Sequence, residues 1–147
     1  MVTVVVGVDG SAASRAALRQ AAQEARWREV PLVAVGAYEA PLPAPSGGYP
    51  VAAMRTDTEN RAATESTLRE TVNDELGDQA GHVDMRVSAG LAGRIIVETA
   101  RETHAQLVVL ATTPARSVVP GTVSHHVLTK AECPVMVVPK GDEGHPS

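Results

Sequence analysis

The sequence predicts an α/β fold, with five parallel strands in one doubly wound sheet and helices on both of its faces. Three observations carry this. Short apolar runs alternate with longer segments of helical periodicity, in the order β-α-β-α-β-α-β-α-β, and such alternation folds into parallel strands joined by right-handed helical crossovers. The first and fourth apolar runs, "VTVVVGVD" and "QLVVLAT", are hydrophobic along their whole length, as strands covered on both faces must be. The chain has 147 residues, 44% hydrophobic and 20% charged, which suits a single domain with a real core. That domain is expected over residues 1–140, with 141–147 as a frayed tail.

The first strand, Val2 to Asp9, is a β-branched run, and "GS" ends it. Ser11 is a good N-cap for a helix from about Ala12 to Glu29. That helix has a narrow apolar face of Ala17, Leu18, Ala21, Ala22 and Ala25, whose small side chains let it lie close on a sheet. "PLVAVGAY", Pro31 to Tyr38, is the second strand. Glu39 to Pro50 holds four prolines and two glycines, so it is neither helix nor central strand and reads as a surface excursion. A second helix follows from about Ala53 to Leu76, with Leu68, Val72 and Leu76 at i, i+4 and i+8 and Gly77 as its stop. "HVDMRVS", His82 to Ser88, alternates apolar and polar residues and reads as a half-exposed strand near a sheet edge. "LAGRIIVETARET" is the third helix, "TVSHHVLTKA" a short fourth, and "PVMVVP" the fifth strand. No internal repeat is present.

Composition excludes several functions. Aromatic residues make up 2%, with no Phe, which leaves no platforms for stacking single-stranded nucleic acid. Net charge is -4 without a basic run, so duplex DNA and anionic membranes are poor partners. The one cysteine, Cys133, forms no intramolecular disulfide and no cysteine-based zinc site. "MVTVVVGVDGS" reads as a strand and not a signal peptide, and no apolar stretch approaches the ~20 residues of a membrane span. A cytoplasmic protein is the simplest expectation.

In an open sheet of this class, ligands bind at the carboxyl ends of the strands, where strand order reverses. If the two most apolar strands are central neighbours, the stretches after them face one crevice. These are "VDGS", Val8 to Ser11, and "LATTPARSVVPGTVSHH", Leu110 to His126. Each ends at a helix N-terminus, where free N–H groups and the helix dipole favour an anion. Neither a Walker A motif nor G-x-G-x-x-G occurs.

"VVVGVDGS", "VSAGLAGRIIVETARETHAQLVVLAT" and "GTVSHHVLTKAECPVMVVP" resemble, in order, the universal stress protein family. The resemblance implies a Rossmann-like sheet of order 3-2-1-4-5, of the adenine nucleotide alpha hydrolase type, and a homodimer. ATP-binding members carry G-x2-G-x9-G-[ST] after the fourth strand. Here Gly121-Thr122 matches the closing pair, while Ala111 and Pro114 stand where the first two glycines would, and six residues replace nine. Pro114 has no N–H and a fixed φ, and Pro120 removes another donor. Arg116 is the loop's one cation. The resemblance further implies that Asp9 lies beside the nucleotide, that Val35 offers main chain to adenine, and that Val123 follows Thr122 at the phosphate end. ATP or AMP is thus the implied ligand, with Mg only beside a triphosphate, and the phosphate cradle is weakened. Losing two or three charge-assisted contacts at ~1.5–3 kcal/mol each removes two or more decades of affinity.

Plainer readings stand beside these. Asp9 is also a natural acceptor within a turn, and Gly121-Thr122 starts a helix with or without ligand. His125 and His126 are adjacent and point about 100° apart on a helix, which does not suit a shared metal. Cys133, before Pro134, reads as a small core residue. No nucleophile, base and orienting group converge, so an enzyme ranks below a dimeric regulatory module of the stress response with an unknown protein partner. The alternative is an interaction module of the same fold without nucleotide. The last strand, uncharged and bounded by prolines, would be hidden by two-fold pairing with a second copy through Pro134 to Pro139.

Overall fold

The computed structural model describes residues 2–39, 56–111 and 122–139. The elements are β1 (Thr3–Gly7), α1 (Ala12–Arg28), β2 (Leu32–Tyr38), α2 (Asp57–Leu76), β3 (Val83–Ala89), α3 (Ala92–Glu102), β4 (Ala105–Ala111), α4 (Thr122–Lys130) and β5 (Val135–Val138). All strands pair in parallel, in the order β3-β2-β1-β4-β5. The apolar runs predicted to be central neighbours, β1 and β4, are adjacent.

Alternation along β1 divides the core into two. Val4 and Val6 face a layer with Leu18 and Ala21 of α1, Leu68 and Val72 of α2, and Val109. Val5 faces the other side, against Val33, Val108, Ile96 of α3 and Val127 of α4. Val4, Val5 and Val6 are fully buried. Each buried branched side chain contributes about 1.5–3 kcal/mol relative to exposure, so the sheet centre is the most stable part of the frame that carries the strand ends.

Ser11 caps α1 as predicted, its Oγ accepting the Ser14 N–H at 3.1 Å. Glu29, not a glycine, ends this helix in the left-handed region at φ 56, and the Val30 N–H returns to the Ala25 carbonyl at 3.0 Å. In α2, Thr56 Oγ1 accepts the Glu59 N–H at 3.1 Å, and Asp57 and Glu59 sit in the first turn, where the dipole favours acids. Only Leu68, Thr71 and Val72 of α2 are buried. Leu76, the third residue of the predicted stripe, is partly buried against the same core layer. Ion pairs add to this contact: Arg15 meets Glu75 at 3.0 Å and Asp74 at 3.5 Å, and Arg19 also pairs with Glu75.

Gly77 stops α2, but a 3-10 turn over Gly77–His82 follows it. No turn was expected there from the sequence pattern. The turn buries Ala80 and starts β3 at Val83 rather than His82. As predicted, β3 is a sheet edge. Met85, expected to alternate inward with Val83 and Val87, is instead exposed. No helix among the described residues is long and apolar enough to cross a membrane. The second helix begins at Asp57 and not near Ala53, because Thr56 is extended and caps it; the excursion beyond Glu39 and the tail lie outside the described residues.

Candidate functional site

The sheet reverses its strand order between β1 and β4, and at their carboxyl ends lies a crevice of about 360 Å³. Gly7 and Leu110 line it from these two strands, Val8 from just beyond β1, Val35 and Ala37 from β2, and Ile96 from α3. The first turns of α1 and α4 open on it through Ala12, Ala13, Val123 and Ser124. Two helix N-termini therefore face one hollow, which favours an anionic group there. A larger groove, about 720 Å³, sits at the other end of the strands and is lined by the last turns of α1 and α2. That groove carries both signs of charge, Arg19 and Arg26 beside Glu29 and Glu75, and is bordered by helix C-termini, which present partial negative charge. Strand reversal and two converging helix N-termini, not size, select the smaller crevice.

Asp9 is the only ionisable side chain lining the crevice among the described residues. The last rung before it runs from the Val8 N–H to the Val35 carbonyl at 2.9 Å. Beyond that rung the chain turns through Gly10 at φ +85. Asp9 Oδ1 accepts the Ser11 N–H at 2.9 Å, and the Asp9 N–H donates to Ser14 Oγ at 3.3 Å. Burial works against its ionisation, but hydrogen bonds from Ser11 and Ser14 outweigh burial and hold the carboxyl below its ordinary value of 3.8. Near neutral pH it is a fixed acceptor of ligand donors.

The structure brings together Asp9, Val35, Ala111 and Val123 of the predicted set around this one crevice. Thr122 is the first residue of α4, next to Val123. Pro114, Arg116 and Gly121 lie outside the described residues. Ser14, Ala37 and Ile96 also line the crevice and were not among the predicted residues. Ser14 carried a weak signal, standing three residues after an N-cap, whereas Ala37 and Ile96 read only as core.

His126 packs against Gly93 of α3, while His125 is exposed. No cluster of metal-ligating side chains occurs among the described residues. Cys133 is half-buried against the second core layer, and burial, with Glu132 beside it, pushes its thiol up, away from the reactive thiolate.

A family model described as the universal stress protein family matches residues 1–139. A universal stress protein solved in complex with cAMP is 27% identical, with 95% of this chain and 98% of that one covered and a TM-score of 0.70. The universal stress protein of Archaeoglobus fulgidus in complex with dAMP is 26% identical over 93% of this chain and 97% of its own, with a TM-score of 0.55. A Lactobacillus plantarum universal stress protein, 23% identical over 93% and 97%, shares the fold at a TM-score of 0.74. A search of curated proteins found no match.

Proposed function

This chain belongs to the universal stress protein family, and on that premise we propose that it is a cytoplasmic regulatory module of the stress response that binds an adenine nucleotide. The observation that carries the reading is the crevice itself, where Asp9 and the first turn of α4 meet at the point of strand reversal. Its volume falls in the range of small-molecule sites, and relatives 27% and 26% identical were solved with cAMP and dAMP. In this reading the main chain at Val35 meets the base and Asp9 accepts a hydrogen bond from the ligand. Ala111 and Val123, with the start of α4 at Thr122, form the phosphate end.

The ligand is AMP or a cyclic monophosphate in preference to ATP. Pro114 and Pro120 offer no N–H, and the loop is three residues shorter than the family's ATP pattern. Mg would be needed only beside a triphosphate. Among the described residues Asp9 alone brings an ionisable side chain to the crevice, which supports a binding role over catalysis. The output passes through a homodimer and a protein partner.

Calorimetry with AMP, cyclic AMP and ATP tests this. Monophosphates are expected to bind, and ATP to bind at least about tenfold more weakly. Tightest binding by ATP overturns the account of the loop. A crevice that takes none of the three at millimolar concentration favours the second reading, an interaction module without nucleotide, for which the two prolines are the supporting observation.

A further inference from the structure

We propose that Ser14 is a positioning residue for Asp9, setting the acceptor of the crevice from inside α1. The inference rests on the nucleotide reading above, because it assigns a residue to the working of that site. Ser14 is 4% exposed on a helix whose other buried small positions, Ala17, Ala21 and Ala25, are alanine. Alanine is the better helix former, and a hydroxyl inside a core is unfavourable unless bonded. Packing alone therefore calls for alanine at this position.

What the hydroxyl does is specific. It donates to the Ser11 carbonyl at 3.1 Å and accepts the Asp9 N–H at 3.3 Å. That N–H has just left the sheet, since the Val8 N–H makes the last rung. Without Ser14 it would have no partner in the chain and would turn to water, leaving the main chain of Asp9 untied. Ser11 closes the loop from the other side, its Oγ accepting the Ser14 N–H and its own N–H donating to Asp9 Oδ1. The main chain of Asp9 is thus tied to α1 and its carboxylate to Ser11. The Thr67 methyl group packs on the outer side of the same corner, 2.8 Å from where a Cβ at Gly10 would lie. The corner is closed on its outer face, and Ser14 is its internal tie.

The experiment is a double-mutant cycle on the full chain, Ser14→Ala with Asp9→Asn, read by calorimetric AMP binding and by NMR titration of the Asp9 carboxyl in the free protein. Ser14→Ala is expected to weaken AMP binding about five- to tenfold in the wild-type background, one charge-assisted contact misplaced, and to change it less than twofold in the Asp9→Asn background. The Asp9 titration should move up toward its ordinary value. Ser14→Thr, which keeps a hydroxyl, should restore both readouts. Equal losses in the two backgrounds, or an unmoved titration, would overturn the proposal and leave Ser14 a structural residue. If wild-type protein binds no AMP, the nucleotide reading fails, while the titration, which needs no ligand, still decides whether Ser14 sets Asp9.

Discussion

Two carboxylates, Asp9 and Glu75, are held ionised by different means. Burial opposes ionisation at both. At Asp9 it is overcome by hydrogen bonds from Ser11 and Ser14, at Glu75 by the guanidinium groups of Arg19 and Arg15. Both folded-state values lie below the ordinary ones, 3.8 and 4.5. The stability they contribute is fully present above those values and is lost as pH falls through the depressed ones. Denaturant unfolding should therefore give a flat stability down to about pH 5 and a decline below it. Glu75→Gln should remove part of that decline. At neutral pH it should also cost about 1 kcal/mol, because Arg15 and Arg19 are partly solvated. High salt should shrink this difference, and a loss that is independent of salt would assign Glu75 a packing role instead.

The turn between β1 and α1 depends on the helix behind it. Gly10 has φ +85, and a Cβ there would lie 2.8 Å from Thr67 Cγ2 of α2. Gly10→Ala should thus combine backbone strain with a clash and cost about 1–3 kcal/mol, seen as a drop of several degrees in Tm. Adding Thr67→Ser removes the methyl group and should recover the steric part but not the strain. If the second change recovers nothing, α2 does not brace this corner. Most elements of this frame were legible because a single local signal fixes each: a capping serine at Ser11, a β-branched run in β1, a stop at Gly77. The 3-10 turn at Gly77–His82 was not, since the turn follows from docking Ala80 into the core. The left-handed end of α1 at Glu29 carries no glycine to announce it. The crevice was legible through the two strand ends, but its apolar walls were not. Ala37 and Ile96 are core residues that also face the hollow, and sequence patterns do not separate these uses. The proline-bearing loop makes a prediction at the same scale. Pro114→Gly with three residues inserted after Arg116 should raise ATP affinity at least about tenfold by restoring N–H donors. Unchanged affinity would show that the prolines do not limit phosphate binding.

At the scale of the molecule, the sheet has two unlike edges. β3 carries Asp84 and Arg86, which pair with each other at 3.0 Å, and charges on an edge strand deter pairing with another chain. β5 has four residues, Val135–Val138, none charged, and its outer edge has no strand partner among the described residues. Val137 is 38% exposed on it. An apolar, unguarded edge is stable in solution when it is covered, and the self-complementary way to cover it is antiparallel pairing with a second copy about a two-fold axis. The proposed homodimer would place the two crevices on one continuous sheet, with a short path from β4 of one copy through β5 to the other. Light scattering should give twice the 15.3 kDa of the chain for the wild type. Val137→Lys should give the single-chain mass, because two lysines would meet near the axis in an apolar contact. Met85→Lys, an equally exposed change on the guarded edge, should leave the mass doubled. A wild-type monomer, or a dimer lost with Met85→Lys and kept with Val137→Lys, would move the interface away from β5.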